Sequence, residues 1–132
     1  MELKMEIGAV HEIRVKVTDE YTAAKMRSGS LPVLATPYMI AFMEQASAEL
    51  CGKYLPEGIS SVGTHVDVYH LAATAVGAEV RVVSTLTAFD GRKAEFTVEA
   101  YDNAGLIGKG THERFTIKIS SFMKKAEEKI SK

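Results

Sequence analysis

Among the side chains of this 132-residue sequence whose types can move protons or attack a carbonyl, three are candidates to consider first. They are the hydroxyl of Thr36, the carboxylate of Glu44 and the imidazole of His70. His70 is the candidate whose ordinary pKa suits proton transfer near neutrality. Glu44 follows Thr36 by eight residues, within a run where Met39, Ile40, Met43, Ala46, Leu50 and Cys51 recur at three- and four-residue steps. A carboxylate on such an apolar helix must be paired, hydrogen-bonded or chemically employed. Each candidate also has a structural reading. Thr36 suits a helix N-cap, with Pro37 at the first helical position. His70 suits a surface or structural histidine at a strand end, and Arg114 a solvated strand residue or ion-pair partner. Gly63 suits a bulge or a close approach of the helix backbone. Cys51 has no neighbouring base and reads as core.

The elements that would position these groups follow from local pattern. Val10 to Val17 alternates, with Ile13, Val15 and Val17 opposite Glu12, Arg14 and Lys16, and is a half-buried strand. Thr18 to Ser30 is a loop, and Pro32 keeps the approach to the helix extended. The helix runs from about Pro37 to about Lys53 and ends before Pro56-Glu57-Gly58. Ser61 to His70 is a second strand, with Val62, Thr64, Val66 and Val68 on one face and Gly63, His65, Asp67 and Tyr69 on the other. Glu79–Phe89 and Arg92–Tyr101 form a hairpin through Asp90-Gly91. Ala94, Phe96, Val98 and Ala100 share a face of its returning strand. Leu106–Ile117 is the last strand, and Phe122 to about Lys129 a short basic tail helix capped by Ser120 or Ser121. One strand, one long helix and a four-strand meander predict an α+β hot-dog fold, a curved antiparallel sheet wrapped around a central helix. Residues 1–132 form a single domain in this reading. An open sheet edge predicts pairing with a second subunit.

Composition narrows the function classes. A net charge of −1 offers no basic excess for phosphate neutralisation, so no nucleic-acid partner is expected. A single cysteine excludes an intrachain disulfide and fits a reducing compartment. No apolar leader and no run of 18 apolar residues are present, so the expected location is cytoplasmic, with no membrane partner. The four histidines lack HxH or HExxH spacing, which argues against a metal.

Together, several blocks resemble a known family. They are Ala35-Thr36 with Glu44 eight residues on, Gly63-Thr64, Tyr69-His70-Leu71-Ala72-Ala73, and Gly110-Thr111-His112-Glu113-Arg114. In this order they resemble the hot-dog thioesterases similar to fluoroacetyl-CoA thioesterase, over about residues 5–120. The resemblance implies a Thr36–Glu44–His70 set acting on an acyl-CoA thioester. It also implies substrate-lining positions at Gly63 and Arg114, and no cofactor beyond the CoA of the substrate. The approach Ser30–Leu34 has no aromatic side chain, so preference for a fluorinated acyl group is not carried over.

Eight helical residues span about 12 Å, which keeps Thr36 and Glu44 of one chain apart. A homodimer or dimer of dimers, with Thr36 of one subunit facing Glu44 of another, is therefore expected. The competing readings are a non-catalytic acyl-CoA or small-ligand binder, and a hot-dog hydratase or dehydratase. The latter usually carries an Asp/His pair in an arrangement absent here.

Overall fold

Pro32 and the extended residue Ala35 (φ −71°, ψ 137°) deliver the chain into a 17-residue helix at Thr36. A computed structural model describes residues 2–131. Its elements are β1 (Val10–Lys16), a short helix α1 (Ala23–Met26), the long helix α2 (Thr36–Gly52), β2 (Ile59–His70), β3 (Glu79–Phe89), β4 (Lys93–Asp102), β5 (Gly105–Lys118) and α3 (Ile119–Glu128). The tail helix thus starts earlier than the sequence pattern predicts. Lys118 occupies its N-cap position, and neither Ser120 nor Ser121 does.

The five strands form one antiparallel sheet in the order β1-β3-β4-β5-β2, and α2 packs across its concave face. This is the expected hot-dog architecture, with one correction. Strands β3, β4 and β5 form a meander, but β2 pairs with β5 and lies at the sheet edge. The reason lies in residues 71–78. They cross the N-terminal end of α2, where the Leu34 amide donates to Thr74 O (2.9 Å) and Val33 bridges to Ala75. The chain then re-enters the sheet beside β1.

Helix and sheet meet in an apolar layer. Met39, Phe42, Met43, Ala46, Leu50 and Cys51 of α2 pack onto the predicted face of β4 and onto Val80, Val82 and Leu86 of β3. The helix is less apolar around its circumference than its sequence suggests. Pro37, Ala41, Gln45, Glu49 and Gly52 are exposed, and Ile40, Glu44 and Ala48 flank them.

Two strand glycines let the elements come close. A methyl group added at Gly108 would sit 2.5 Å from Met39 Sδ and 3.0 Å from the Tyr69 carbonyl. One added at Gly110 would overlap the Asp67 carbonyl and approach Val68 Cα to 2.6 Å. Because these neighbours of Gly110 are backbone, no rotamer change relieves the clash. Gly110→Ala is expected to destabilise the fold by about 1–3 kcal/mol, the usual cost of overpacking, read as a lower urea midpoint with an unchanged slope.

Candidate functional site

Thr36 is the first residue of α2, one position inside the predicted cap. The N-cap is Ala35, whose carbonyl accepts from the amides of Tyr38 (3.1 Å) and Met39 (3.0 Å). With those two amides engaged and Pro37 lacking one, the Thr36 amide alone stands outside the intrahelical ladder of that turn. The Thr36 hydroxyl is therefore not spent on capping. Its Oγ1 lies 2.7 Å from His70 Nδ1, at the far end of β2. Both residues line a cleft of about 300 Å³, walled by Val33, Leu34, Ala72 and Ala73.

Burial holds the His70 pKa below its ordinary value, against the opposing effect of the Ala72 backbone. Its Nε2 is buried and has no hydrogen-bond partner among the described residues. Desolvation favours the neutral ring, and in the tautomer protonated at Nε2 its Nδ1 can accept the Thr36 proton.

The other candidates gather elsewhere, around the middle of α2. Glu44 Oε2 lies 3.9 Å from Arg114 Nη1, and its side chain is 42% exposed in the single chain. The Arg114 guanidinium is largely buried. It donates from Nε to Ser61 Oγ (2.9 Å) and from Nη2 to Ser61 O (3.0 Å). Nη1 lies 3.2 Å from His112 Nε2. His112 Nδ1 donates to the His65 carbonyl at 2.7 Å, so Nε2 is the bare nitrogen that accepts from Arg114. Desolvation, helped by the Arg114 charge, lowers the His112 pKa. Gly63 completes this corner, since a Cβ there would lie 2.6 Å from Glu44 Oε2.

Thr36 and His70 are thus brought together, as are Glu44, Gly63 and Arg114, while the two groups stay apart within one chain. The faces of β2 need correction. The register shifts between Gly63 and His65, where Gly63 pairs with Arg114 but His65 with Glu113. Thr64 is the extra residue, and its hydroxyl donates to Glu113 O (3.2 Å). Strict alternation would put Gly63 and His70 on opposite faces; the bulge turns both toward α2. His112 and Ser61 were not singled out in the sequence. The available signal was the alternation of Gly108, Gly110, His112 and Arg114 along β5, small beside the start of α2 and polar beside Glu44. Cys51 is buried, and desolvation raises its thiol pKa, in keeping with a core role. No three His, Cys, Asp or Glu side chains among the described residues are placed to hold a metal ion.

The model of the fluoroacetyl-CoA-specific thioesterase family matches residues 17–120. The chain belongs to this family. The fluoroacetyl-CoA thioesterase of Streptantibioticus cattleyicolor is 39% identical over 97 residues, covering 74% of this chain and 70% of that protein. A crystal structure of the fluoroacetyl-CoA thioesterase FlK superposes with a TM-score of 0.90 at 32% identity, over 96% of this chain and 98% of that one. A thioesterase-superfamily protein from Thermus thermophilus gives a TM-score of 0.87 at 30% identity, over 97% of both chains. Family membership makes this chain a thioester hydrolase of the hot-dog class, as its sequence blocks predict. No helix among the described residues is long and apolar enough to cross a membrane.

Both depressed imidazoles link stability to pH. Their folded pKa values lie below the ordinary ~6.5, so below that pH the unfolded chain binds more protons than the native one. Stability is therefore fully present above about pH 6.5 and falls as the pH drops toward the folded values. A melting temperature lower at pH 5.5 than at pH 7.5 is expected. The difference should shrink in His112→Gln, measured relative to that variant's own value at pH 7.5.

Proposed function

We propose that this chain hydrolyses small acyl-CoA thioesters at a site shared by two subunits, with Thr36 and His70 from one and Glu44, Gly63 and Arg114 from the other. The observation that carries this reading is the division of the candidates. Thr36 has a base at hydrogen-bond distance, and Glu44 is held two turns along the helix by Arg114. No carboxylate lines the cleft beside Thr36 and His70, and in the Glu44 half the Ser61 hydroxyl and the His112 ring are both engaged by Arg114. The edge position of β2, which carries both His70 and Gly63, supports pairing of that edge with a second copy. Antiparallel pairing of two β2 strands would bring the His70 end of each toward the Gly63 end of the other.

In this arrangement the Thr36 amide faces the thioester oxygen at the positive end of α2 and stabilises its developing charge. Neutral His70 accepts the Thr36 proton and returns it to the departing CoA sulfur. Glu44 of the partner subunit directs water onto the acyl carbon. If Thr36 itself attacks first, a C–O bond replaces the C–S bond and the same water then cleaves the resulting ester. If water attacks directly, Thr36 keeps its proton, a proton of the water reaches the departing sulfur, and no adduct forms. Mass measurement of the protein during turnover of a slow substrate separates the two routes. The cleft of about 300 Å³ beside Thr36 and His70 supports a short acyl group.

Release of free thiol from a panel of acyl-CoAs tests the reading. Turnover of short-chain thioesters is expected. Binding without turnover would replace it with a ligand-binding role, and water addition to an enoyl-CoA with a hydratase. Thr36→Ala, Glu44→Ala and His70→Ala should each lower kcat/KM by at least about 100-fold, the scale of a lost acid–base or nucleophilic group. Mixed Thr36→Ala and Glu44→Ala chains should regain activity on subunit exchange, because one intact site forms per heterodimer. No recovery would overturn the shared site.

A further inference from the structure

His112 lies behind the Glu44 half of the site, is 1% exposed, and has no part in the proposed reaction. Its ring is packed on both sides. Phe96 of β4 stacks on it with centroids 6.0 Å apart, and a Cβ at Gly63 would stand only 3.1 Å from its Cε1. A carbonyl can only accept, so the 2.7 Å contact with His65 O places a proton on Nδ1 and leaves a lone pair on Nε2. That lone pair faces Arg114 Nη1 at 3.2 Å, and the same nitrogen lies 3.9 Å from Glu44 Oε2. One guanidinium nitrogen thus stands between an imidazole that it reaches and a carboxylate that it does not.

A protonated ring cannot keep this arrangement. Two N–H donors and two positive charges would then face each other at 3.2 Å with no acceptor between them. The ring is wedged in its layer, so the guanidinium is the partner that moves. Ser61 holds its Nε and Nη2 and leaves Nη1 free to swing. The nearest acceptor on that side is Glu44, and a charge-assisted hydrogen bond would close the gap to about 2.8 Å. A carboxylate engaged in this way has fewer lone pairs with which to direct water.

From this geometry we propose that His112 is a positioning residue for Glu44: its neutral ring holds Arg114 off the carboxylate, and its protonation releases Arg114 onto Glu44 and shuts the site. The proposal rests on the thioesterase reading and adds a proton-controlled contact to it. The charged and titratable groups around the ring agree with a neutral resting form. Arg114 and Glu113 share its strand, Glu44 comes from α2, and β2 brings the His65 carbonyl. The Glu113 carboxylate is itself approached by Lys93 of β4 and by the His65 ring, each at 3.7 Å. Cys51 of α2 bears on Arg114, and Phe96 carries no charge. Desolvation is the largest influence on the ring and the Arg114 charge adds to it, against the His65 carbonyl and the two carboxylates. The active, neutral form therefore persists to somewhat below the ordinary histidine value and is lost as the pH falls further.

Thiol release from a short acyl-CoA, followed against pH for the native enzyme, His112→Gln and His112→Ala, tests this. The profiles are read over the range in which circular dichroism shows each protein folded. Glutamine offers one donor and one acceptor that do not titrate. His112→Gln should keep kcat at pH 7.5 within about threefold of native, and its acid limb should lose one of the protons that shape the native limb. His112→Ala should lower kcat about tenfold or more with KM within about twofold, the mark of an interaction needed in the transition state. An acid limb of His112→Gln identical to the native one overturns the proposal, as does a loss in His112→Ala carried by KM alone. If His112→Ala does not fold, the His112→Gln profile decides by itself. Nitrogen resonances of the ring supply an arm independent of turnover. The tautomer protonated at Nδ1 is expected at pH 7.5, and one protonated at Nε2 overturns the proposal while leaving the thioesterase reading intact. A native enzyme that releases no thiol at any pH overturns both.

Discussion

The irregularity at Thr64 is the constraint on which the site's layout depends. A β-strand sends successive side chains to opposite faces, so residues separated by an odd number of steps cannot face the same way. Gly63 and His70 are separated by seven. Only the extra residue at Thr64, pinned by its hydroxyl to the Glu113 carbonyl, lets one strand present an imidazole to the start of α2 and a bare backbone to its middle. Without the bulge, either His70 or Gly63 would point away from the helix. In the first case Thr36 would lose its hydrogen-bond partner, and in the second Glu44 would lose its seat.

What lies behind Glu44 is as ordered as what lies in front of Thr36. The His65 carbonyl fixes the His112 tautomer, and His112 then accepts from Arg114, whose Nε and Nη2 also donate to Ser61. Arg114 is therefore a buried cation surrounded by neutral oxygens and a neutral ring, with its long 3.9 Å approach to Glu44 as the only carboxylate contact among the described residues. Such an arrangement leaves Glu44 near a positive charge without tying it into a close ion pair. The carboxylate stays oriented and partly open.

The features legible in the sequence were those fixed by local rules. Alternation identified the buried face of β4, Asp90-Gly91 identified the hairpin, and Pro37 with the apolar repeat located α2. The rise of a helix was enough to separate Thr36 from Glu44. The features that were not legible depend on tertiary context. Nothing in residues 71–78 announces that they cross the helix end and carry β3 away from β2. The bulge escaped because Ser61–His70 alternates plausibly without it. Thr36 looked like a cap because its type and its neighbour Pro37 suit one, yet Ala35 takes that position and a hydroxyl one residue later meets His70. His112 was passed over as a histidine without metal spacing, when its importance lies in what it holds in place.

Gly108 illustrates how little separates a positioned hydroxyl from a misplaced one. It is the registered neighbour of His70 across the β2–β5 ladder, and it lies directly beneath Met39, three residues after Thr36. The missing side chain at that point lets the first turn of α2 settle onto the sheet closely enough for Thr36 to reach the imidazole. The helix and sheet therefore act like the jaws of a caliper, with a strand glycine as the stop. A side chain added at the stop would meet the flexible Met39 thioether first and the Tyr69 carbonyl next, so a residue outside the cleft bears on where the Thr36 hydroxyl sits.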